Sequence, residues 1–205
     1  MSGKNPSSAP AARRARAVES FKSAAETIGK IEHGSTVFAI TRGQFSMIDA
    51  ILHTLDELGP SEISVWTWTV ADYEIEALTS LRRDGRITRG TLVIDPGART
   101  KNSALIAEWK ATFGAESVRY VLNHAKIATV ANGNKKVLLR GSMNLNCNPR
   151  FEQFDLSEGG RITSWCVKSS ASCRFSATTA LAARRMSPPA LARRSRPNNW
   201  RCLEG

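Results

Sequence analysis

The chain of 205 residues lacks any run of about eighteen apolar residues. The basic residues near its start are not followed by the apolar stretch of a secretory signal. We therefore expect a soluble, cytoplasmic protein with no membrane partner. Histidines and carboxylates form no cluster at metal-ligand spacing, and no C-x-x-C pair occurs among the four cysteines, which are Cys147, Cys166, Cys173 and Cys202. These absences argue against a zinc site and a disulfide framework, and we expect neither a metal nor a cofactor.

Positive charge is present in excess, but only at the two ends of the chain. The formal net charge is +11. Residues 1–30 contain six Lys or Arg and two Glu. Residues 160–205 contain nine Lys or Arg and one Glu. The intervening body has fourteen basic and fifteen acidic residues, so it is nearly neutral. A polyanionic partner such as DNA is thus expected to be attracted by the ends rather than by the body.

Composition divides the chain into three segments. Residues 1–17 are rich in Ser, Pro, Ala and Arg without an apolar period, which predicts a disordered basic arm. Residues 18–159 have the composition of one folded domain. Residues 160–205 change abruptly to Arg, Ser, Ala and Cys, which predicts a basic tail of low order. The same abrupt change suggests a shifted reading frame that replaces a closing strand and helix.

Helical and strand periods alternate through the body. They predict helices at residues 18–30, 46–58, 72–84 and 103–113, and strands at 36–40, 62–70, 91–95, 117–122, 124–131 and 135–142. This order indicates an α/β fold with a mixed, mainly parallel sheet flanked by helices and a terminal hairpin at Asn132-Gly133. Trp66 and Trp68 alternate with threonines, which favours strand packing over base stacking.

The predicted terminal hairpin carries the polar groups of interest. His124 and Lys126 are two residues apart, so they would project from one face of a strand. The returning strand ends in Gly-Ser-Met-Asn, where Ser142 offers a hydroxyl and Asn144 an amide. Attack on a phosphodiester needs a nucleophile, a fixed cation and neutral donors for the phosphoryl oxygens. These side chains supply those groups.

The sequence His124-Ala-Lys126 followed by Gly141-Ser142-Met143-Asn144 resembles the H-x-K and G-S-x-N signature of the phospholipase D superfamily. The alternation from Thr36 to Glu158 is also similar to that family's core.

The resemblance implies a metal-independent phosphodiesterase, and the basic ends of the chain favour a nuclease acting on DNA. It implies that His124 attacks phosphorus and forms a phosphohistidine, and that Lys126 and Asn144 hold the phosphoryl oxygens. Ser142 would shape the pocket, and Glu152 would orient His124 through its other ring nitrogen.

The family uses two copies of the motif, and this chain has one. His33 and His53 are not followed by lysine two residues later, so the resemblance implies a homodimer with a shared site. Ala131 stands where the family's usual aspartate would be. A catalytically inactive DNA-binding or assembly protein of the same fold is therefore an alternative. A lipid phosphodiesterase is disfavoured, because no amphipathic membrane-facing stretch is present.

Overall fold

A computed structural model describes residues 14–19, 22–146 and 150–172 of the chain. The strands are β1 (Arg14–Glu19), β2 (Ser35–Thr41), β3 (Ser61–Thr67), β4 (Ile87–Ile94), β5 (Val118–Tyr120), β6 (Ile127–Ala131), β7 (Lys136–Gly141) and β8 (Glu152–Glu158). The helices are α1 (Ala24–Ile28), α2 (Met47–Leu58), α3 (Asp72–Arg83), α4 (Ala98–Lys101), α5 (Ser103–Phe113) and α6 (Gly160–Ser172).

The described strands form one mixed sheet in the order β1-β2-β8-β7-β6-β3-β4-β5. The pairs β1–β2, β3–β4 and β4–β5 are parallel, and the other four pairs are antiparallel. The mixed α/β class is confirmed, but the expectation of a mainly parallel sheet is wrong. Strand β8 accounts for two of the four antiparallel pairs, because it inserts between β2 and β7 and is antiparallel to both. The other two antiparallel pairs join β6 to β3 and to β7.

Helices cover both faces of the sheet. On one face, α2 contacts β6 and β7, while α3 packs on α5 and β4. Alternate residues of the central strands enter the core on this side, including Val65, Ala128 and Leu139. On the opposite face, α6 contacts β4, β6 and β7, and its Ser170 accepts a hydrogen bond of 2.8 Å from Trp66 Nε1. The strands between these layers are therefore buried on both sides.

Local sequence signals predicted two elements correctly, the helix α2 and the hairpin between β6 and β7. The helix predicted at 46–58 is α2, and the Asp49 carboxylate accepts hydrogen bonds from the backbone N–H (2.7 Å) and hydroxyl (3.0 Å) of Ser46, as expected for a capped start. The hairpin turn is also confirmed. Asn132 N donates to Lys135 O over 3.0 Å, and Asn132 Oδ1 accepts from the backbone N–H groups of Asn134 and Lys135.

The two ends of the domain differ from the sequence prediction. Residues 14–17 were expected to belong to the disordered arm and Val18 to begin a helix, but Arg14–Glu19 is β1, paired in parallel with β2. The helix that follows spans only Ala24–Ile28. The first thirteen residues of the expected low-order tail form α6. The rest of the arm and tail, residues 1–13 and 173–205, lies outside the described residues.

Candidate active site

The predicted site residues lie at one edge of the sheet, where β6 and β8 begin and β7 ends. His124 and Lys126 were expected inside a strand, but β6 starts only at Ile127. Both residues lie in the extended segment just before it. Gly141 N donates to Lys126 O over 3.2 Å, so this segment still runs alongside the end of β7. The hairpin thus brings the two halves of the motif to the same edge.

His124 and Lys126 are in direct contact. Lys126 Nζ lies 3.2 Å from Nδ1 and 3.3 Å from Nε2 of His124, and it donates to the His124 carbonyl oxygen over 2.8 Å. The imidazole is exposed and the lysine is half-buried. An anionic oxygen bound by this ammonium would therefore lie beside the imidazole, which is the arrangement that attack on phosphorus needs.

The surroundings of Lys126 act on its charge in opposite directions. Burial lowers the pKa of Lys126 below its ordinary value, and the negative charge of Glu152 partly offsets this shift. Loss of water around the ammonium also strengthens its attraction for an anion. The hydrogen bond from Nζ to the His124 carbonyl oxygen holds this ammonium at the edge of the sheet.

Ser142 and Glu152 form the second pair in the site. The Ser142 hydroxyl donates a short hydrogen bond to Glu152 Oε2 and accepts one of 2.9 Å from Gln153 N. Glu152 is buried, and this contact supplies one partner for its carboxylate. The hydroxyl is held against the start of β8. The orientation of His124 by Glu152 stays a prediction.

Gly141 permits the close approach of β7 to β8. A β-carbon at this position would lie 2.3 Å from Gln153 O, a backbone atom. Ser142 N donates to the same carbonyl over 3.0 Å. Any larger residue at position 141 would push β8 away and separate Ser142 from Glu152. The close packing of β7 against β8 therefore explains why position 141 is glycine.

Asn144 lies two residues beyond Ser142 at the same edge. Its side-chain oxygen is buried, and it has no hydrogen-bond partner among the described residues. The next residue is tied to the end of β3, because Leu145 N donates to Thr67 Oγ1 over 3.1 Å and Leu145 O accepts from Ala71 N over 3.2 Å. Asn144 is therefore held on an anchored segment with its carboxamide oxygen unsatisfied.

Asn123 is a positioning residue that the sequence analysis missed. Its buried amide nitrogen donates to Thr67 O (3.0 Å) at the end of β3 and to Val93 O (3.3 Å) in β4, and its Oδ1 accepts from Ala125 N over 2.9 Å. These bonds fix the backbone on both sides of His124. Its place next to the motif histidine was the only sequence signal, and an asparagine in a loop is too common to be distinctive.

Trp68 was also missed as a neighbour of the site. It follows the last residue of β3, is 47% exposed, and lies with its ring centroid 5.9 Å from that of His124 at an interplanar angle of 50°. Both tryptophans were expected to pack within a strand. Trp66 does so, because it is half-buried and donates a hydrogen bond to Ser170 of α6. It does not hold for Trp68, because the strand ends before it.

Ala131 is remote from these groups. It is the last residue of β6, five residues along the chain from Lys126, or about 16 Å at the rise of a strand. It lines a small cavity with Val167 and Ser170 of α6. The missing aspartate therefore leaves no gap at the site itself.

The other two histidines are engaged elsewhere. His33 Nδ1 lies 3.3 Å from Glu158 Oε2. His33 precedes the first residue of β2, so this contact lies at the edge of the sheet opposite to His124. His53 Nε2 lies 2.8 Å from the carbonyl oxygen of Gly29. Since the chain has three histidines, His124 is the one imidazole that a single chain places at this site.

Within residues 14–19, 22–146 and 150–172, no group of three or more His, Cys, Asp or Glu is arranged to hold a metal ion. No helix in this part of the chain is long and apolar enough to cross a membrane. No protein-family model matches the chain, and no curated protein matches it in sequence.

Proposed function

We propose that this protein is a metal-independent phosphodiesterase that cleaves DNA through a phosphohistidine, in a site shared by two copies of the chain. The observation that carries the proposal is the contact between the exposed His124 imidazole and the Lys126 ammonium at an open edge of the sheet. A nucleophile beside a fixed cation is what displacement at an anionic phosphorus requires. The lysine supplies the positive charge for which other phosphodiesterases use a metal ion.

The reaction has two displacements. A ring nitrogen of His124 attacks phosphorus, so that a P–N bond forms and the P–O bond to the leaving sugar breaks. The leaving oxygen takes a proton from a second imidazole. Water then attacks phosphorus, its proton returns to that second imidazole, and the P–N bond breaks to regenerate His124. Lys126 and the carboxamide of Asn144 bind the non-bridging oxygens while negative charge develops on them.

The second imidazole is the reason for proposing a shared site. His33 and His53 are held by contacts away from His124, so a second copy of the chain must supply the proton donor. Leu122 and Phe151 lie within two residues of His124 and Glu152 and are 57% and 64% exposed. Apolar side chains this exposed beside the site suit the face on which two copies would meet.

Mixing experiments test the shared site. Wild-type chains and chains carrying His124→Ala are combined in equal amounts, allowed to exchange subunits, and assayed at constant total protein. If each site needs both histidines, only dimers of two wild-type chains are active, and we expect about a quarter of the wild-type activity. Independent sites would give about half. Sedimentation of each protein alone gives the oligomeric state, and an active monomer would contradict the proposal.

DNA is the proposed substrate because of where the charge lies. The ends of the chain carry the excess of basic residues, and the body around the site is nearly neutral. Basic ends bind the phosphate backbone without reading its sequence, and this attraction weakens as salt is added. The site then needs to recognise only one phosphodiester.

Cleavage in the presence of a chelator tests the chemistry. We expect the protein to cleave single-stranded DNA and a chromogenic phosphodiester in excess EDTA, because Lys126 replaces a metal ion in neutralising the phosphoryl charge. Substrate conversion is followed by gel and by absorbance. Activity that disappears with EDTA and returns with a divalent cation would contradict the metal-independent mechanism. DNA binding without turnover would instead indicate the DNA-binding or assembly protein.

A further inference from the structure

The aromatic side chain beside the nucleophile points to the kind of strand that enters the site. Trp68 exposes almost half of its surface, 47%, while Trp109 is fully buried in the core. An indole left open to water next to a reactive group loses the stabilisation that burial would give it. Its position beside His124 makes the indole available to a ligand bound at that histidine.

The contact between Trp68 and His124 is built into the backbone. The chain from β5 to β6 crosses the ends of β4 and β3, where Asn123 bonds to the carbonyl oxygens of Val93 and Thr67. Trp68 follows Thr67 directly, and His124 follows Asn123. The side chain of Asn123 thus holds the backbone of the two residues close together.

Trp68 lies close to the position that a nucleotide bound at His124 would occupy. The two ring centroids are 5.9 Å apart, so a base linked through one sugar to phosphorus at His124 would lie near the indole. The exposed Trp68 indole therefore fits a flat apolar group of a ligand whose phosphate lies at His124.

We infer that Trp68 stacks on the nucleobase next to the scissile phosphate and that the substrate is single-stranded nucleic acid. This inference rests on the proposed function. In a duplex both faces of each base are covered by neighbouring bases, so stacking on Trp68 would require a base to leave the stack. A single strand offers its base faces freely, and aromatic stacking binds any base without sequence preference.

The test compares strands with and without bases. Binding of a labelled oligothymidylate, of an abasic strand of the same length, and of the oligothymidylate in a duplex is measured by fluorescence anisotropy. For binding, every protein also carries His124→Ala, so that the strand stays intact. We expect Trp68→Ala to weaken binding of oligothymidylate about tenfold and to have a much smaller effect on the abasic strand. Trp68→Phe keeps an aromatic ring and should retain most of the affinity.

Trp165 supplies the matched control. It is 66% exposed on α6, so Trp165→Ala removes the same side chain from another surface and should leave binding of oligothymidylate unchanged. Thermal melting of each variant verifies folding. Equal losses on the two strands, no loss with Trp68→Ala, or conversion of a dimer into monomers by Trp68→Ala would each overturn the inference.

The same variants separate this inference from the proposed function. With His124 restored, cleavage of the oligothymidylate that does not depend on Trp68 refutes the stacking role and leaves the nuclease intact. Binding that depends on Trp68 but is followed by no cleavage supports the stacking role and refutes the nuclease.

Discussion

Replacing His124 by alanine is expected to lower kcat/KM for DNA and for a chromogenic phosphodiester on the order of 10⁴-fold or more, because it removes the proposed nucleophile. The side chain is exposed, so the variant should melt within a few degrees of the wild type. Steady-state kinetics and thermal melting measure the two effects. The covalent intermediate gives a further readout, since a phosphoryl label on histidine survives base and is lost in acid.

His33→Ala is the control for that experiment. His33 has an exposed side chain and lies 3.3 Å from Glu158 at the opposite edge of the sheet, so its removal should leave the rate and the labelling unchanged. Undiminished turnover by a folded His124→Ala protein would refute the phosphohistidine mechanism. Label that persists in the His124→Ala protein would place the nucleophile elsewhere.

Replacing Lys126 by methionine is expected to reduce kcat about 10²- to 10³-fold, the usual effect of removing a group that stabilises charge in the transition state. Methionine keeps the length of the side chain and removes the ammonium that lies against His124. Lys126→Arg retains a positive charge and should recover part of the rate. Lys136→Met, at the exposed start of β7 and the far end of the hairpin, is the matched control and should have no effect.

Lys126 also predicts the alkaline limb of the pH–rate profile. Burial lowers the pKa of Lys126, and only the protonated form binds the phosphoryl oxygens, so activity falls as pH rises through that lowered pKa. The decline should begin at lower pH than for an ordinary lysine. Arginine stays protonated throughout, so Lys126→Arg should move the limb to higher pH. If the limb is the same in both proteins, another group controls it.

Local signals in the sequence predicted much of the fold. The capped helix α2 and the hairpin at Asn132-Gly133 depend on residues close together in the chain, and both were placed correctly. Strand β8 was missed because its sequence is dominated by polar residues, and only Phe154 and Leu156 mark the buried face. That omission hid the antiparallel pairs β2–β8 and β7–β8, since the pairing of strands in a sheet is set by contacts between distant segments.

The candidate site was predicted in part. The spacing of His124 and Lys126 indicated that they lie together, and the structure brings them into contact. The bond from Ser142 to Glu152 and the bonds made by Asn123 join segments that only the folded sheet brings together. No pattern of spacing contains them. Trp68 was misjudged because its alternation with threonine extends beyond the point where β3 ends.

The position of β8 in the sheet has a consequence for synthesis of the protein. Among the described strands, β2 pairs only with β1 and β8, and Thr41 meets Glu152 across that boundary. A nascent chain can form the β3–β4–β5 unit early, but the β1–β2 edge has no partner in the sheet until residues 152–158 have left the ribosome. Ser142 likewise has no Glu152 carboxylate to bond until the same residues emerge. Incomplete translation products that stop before β8 are therefore expected to lack the Ser142–Glu152 contact, so the candidate site would be complete only when translation of the domain is nearly finished.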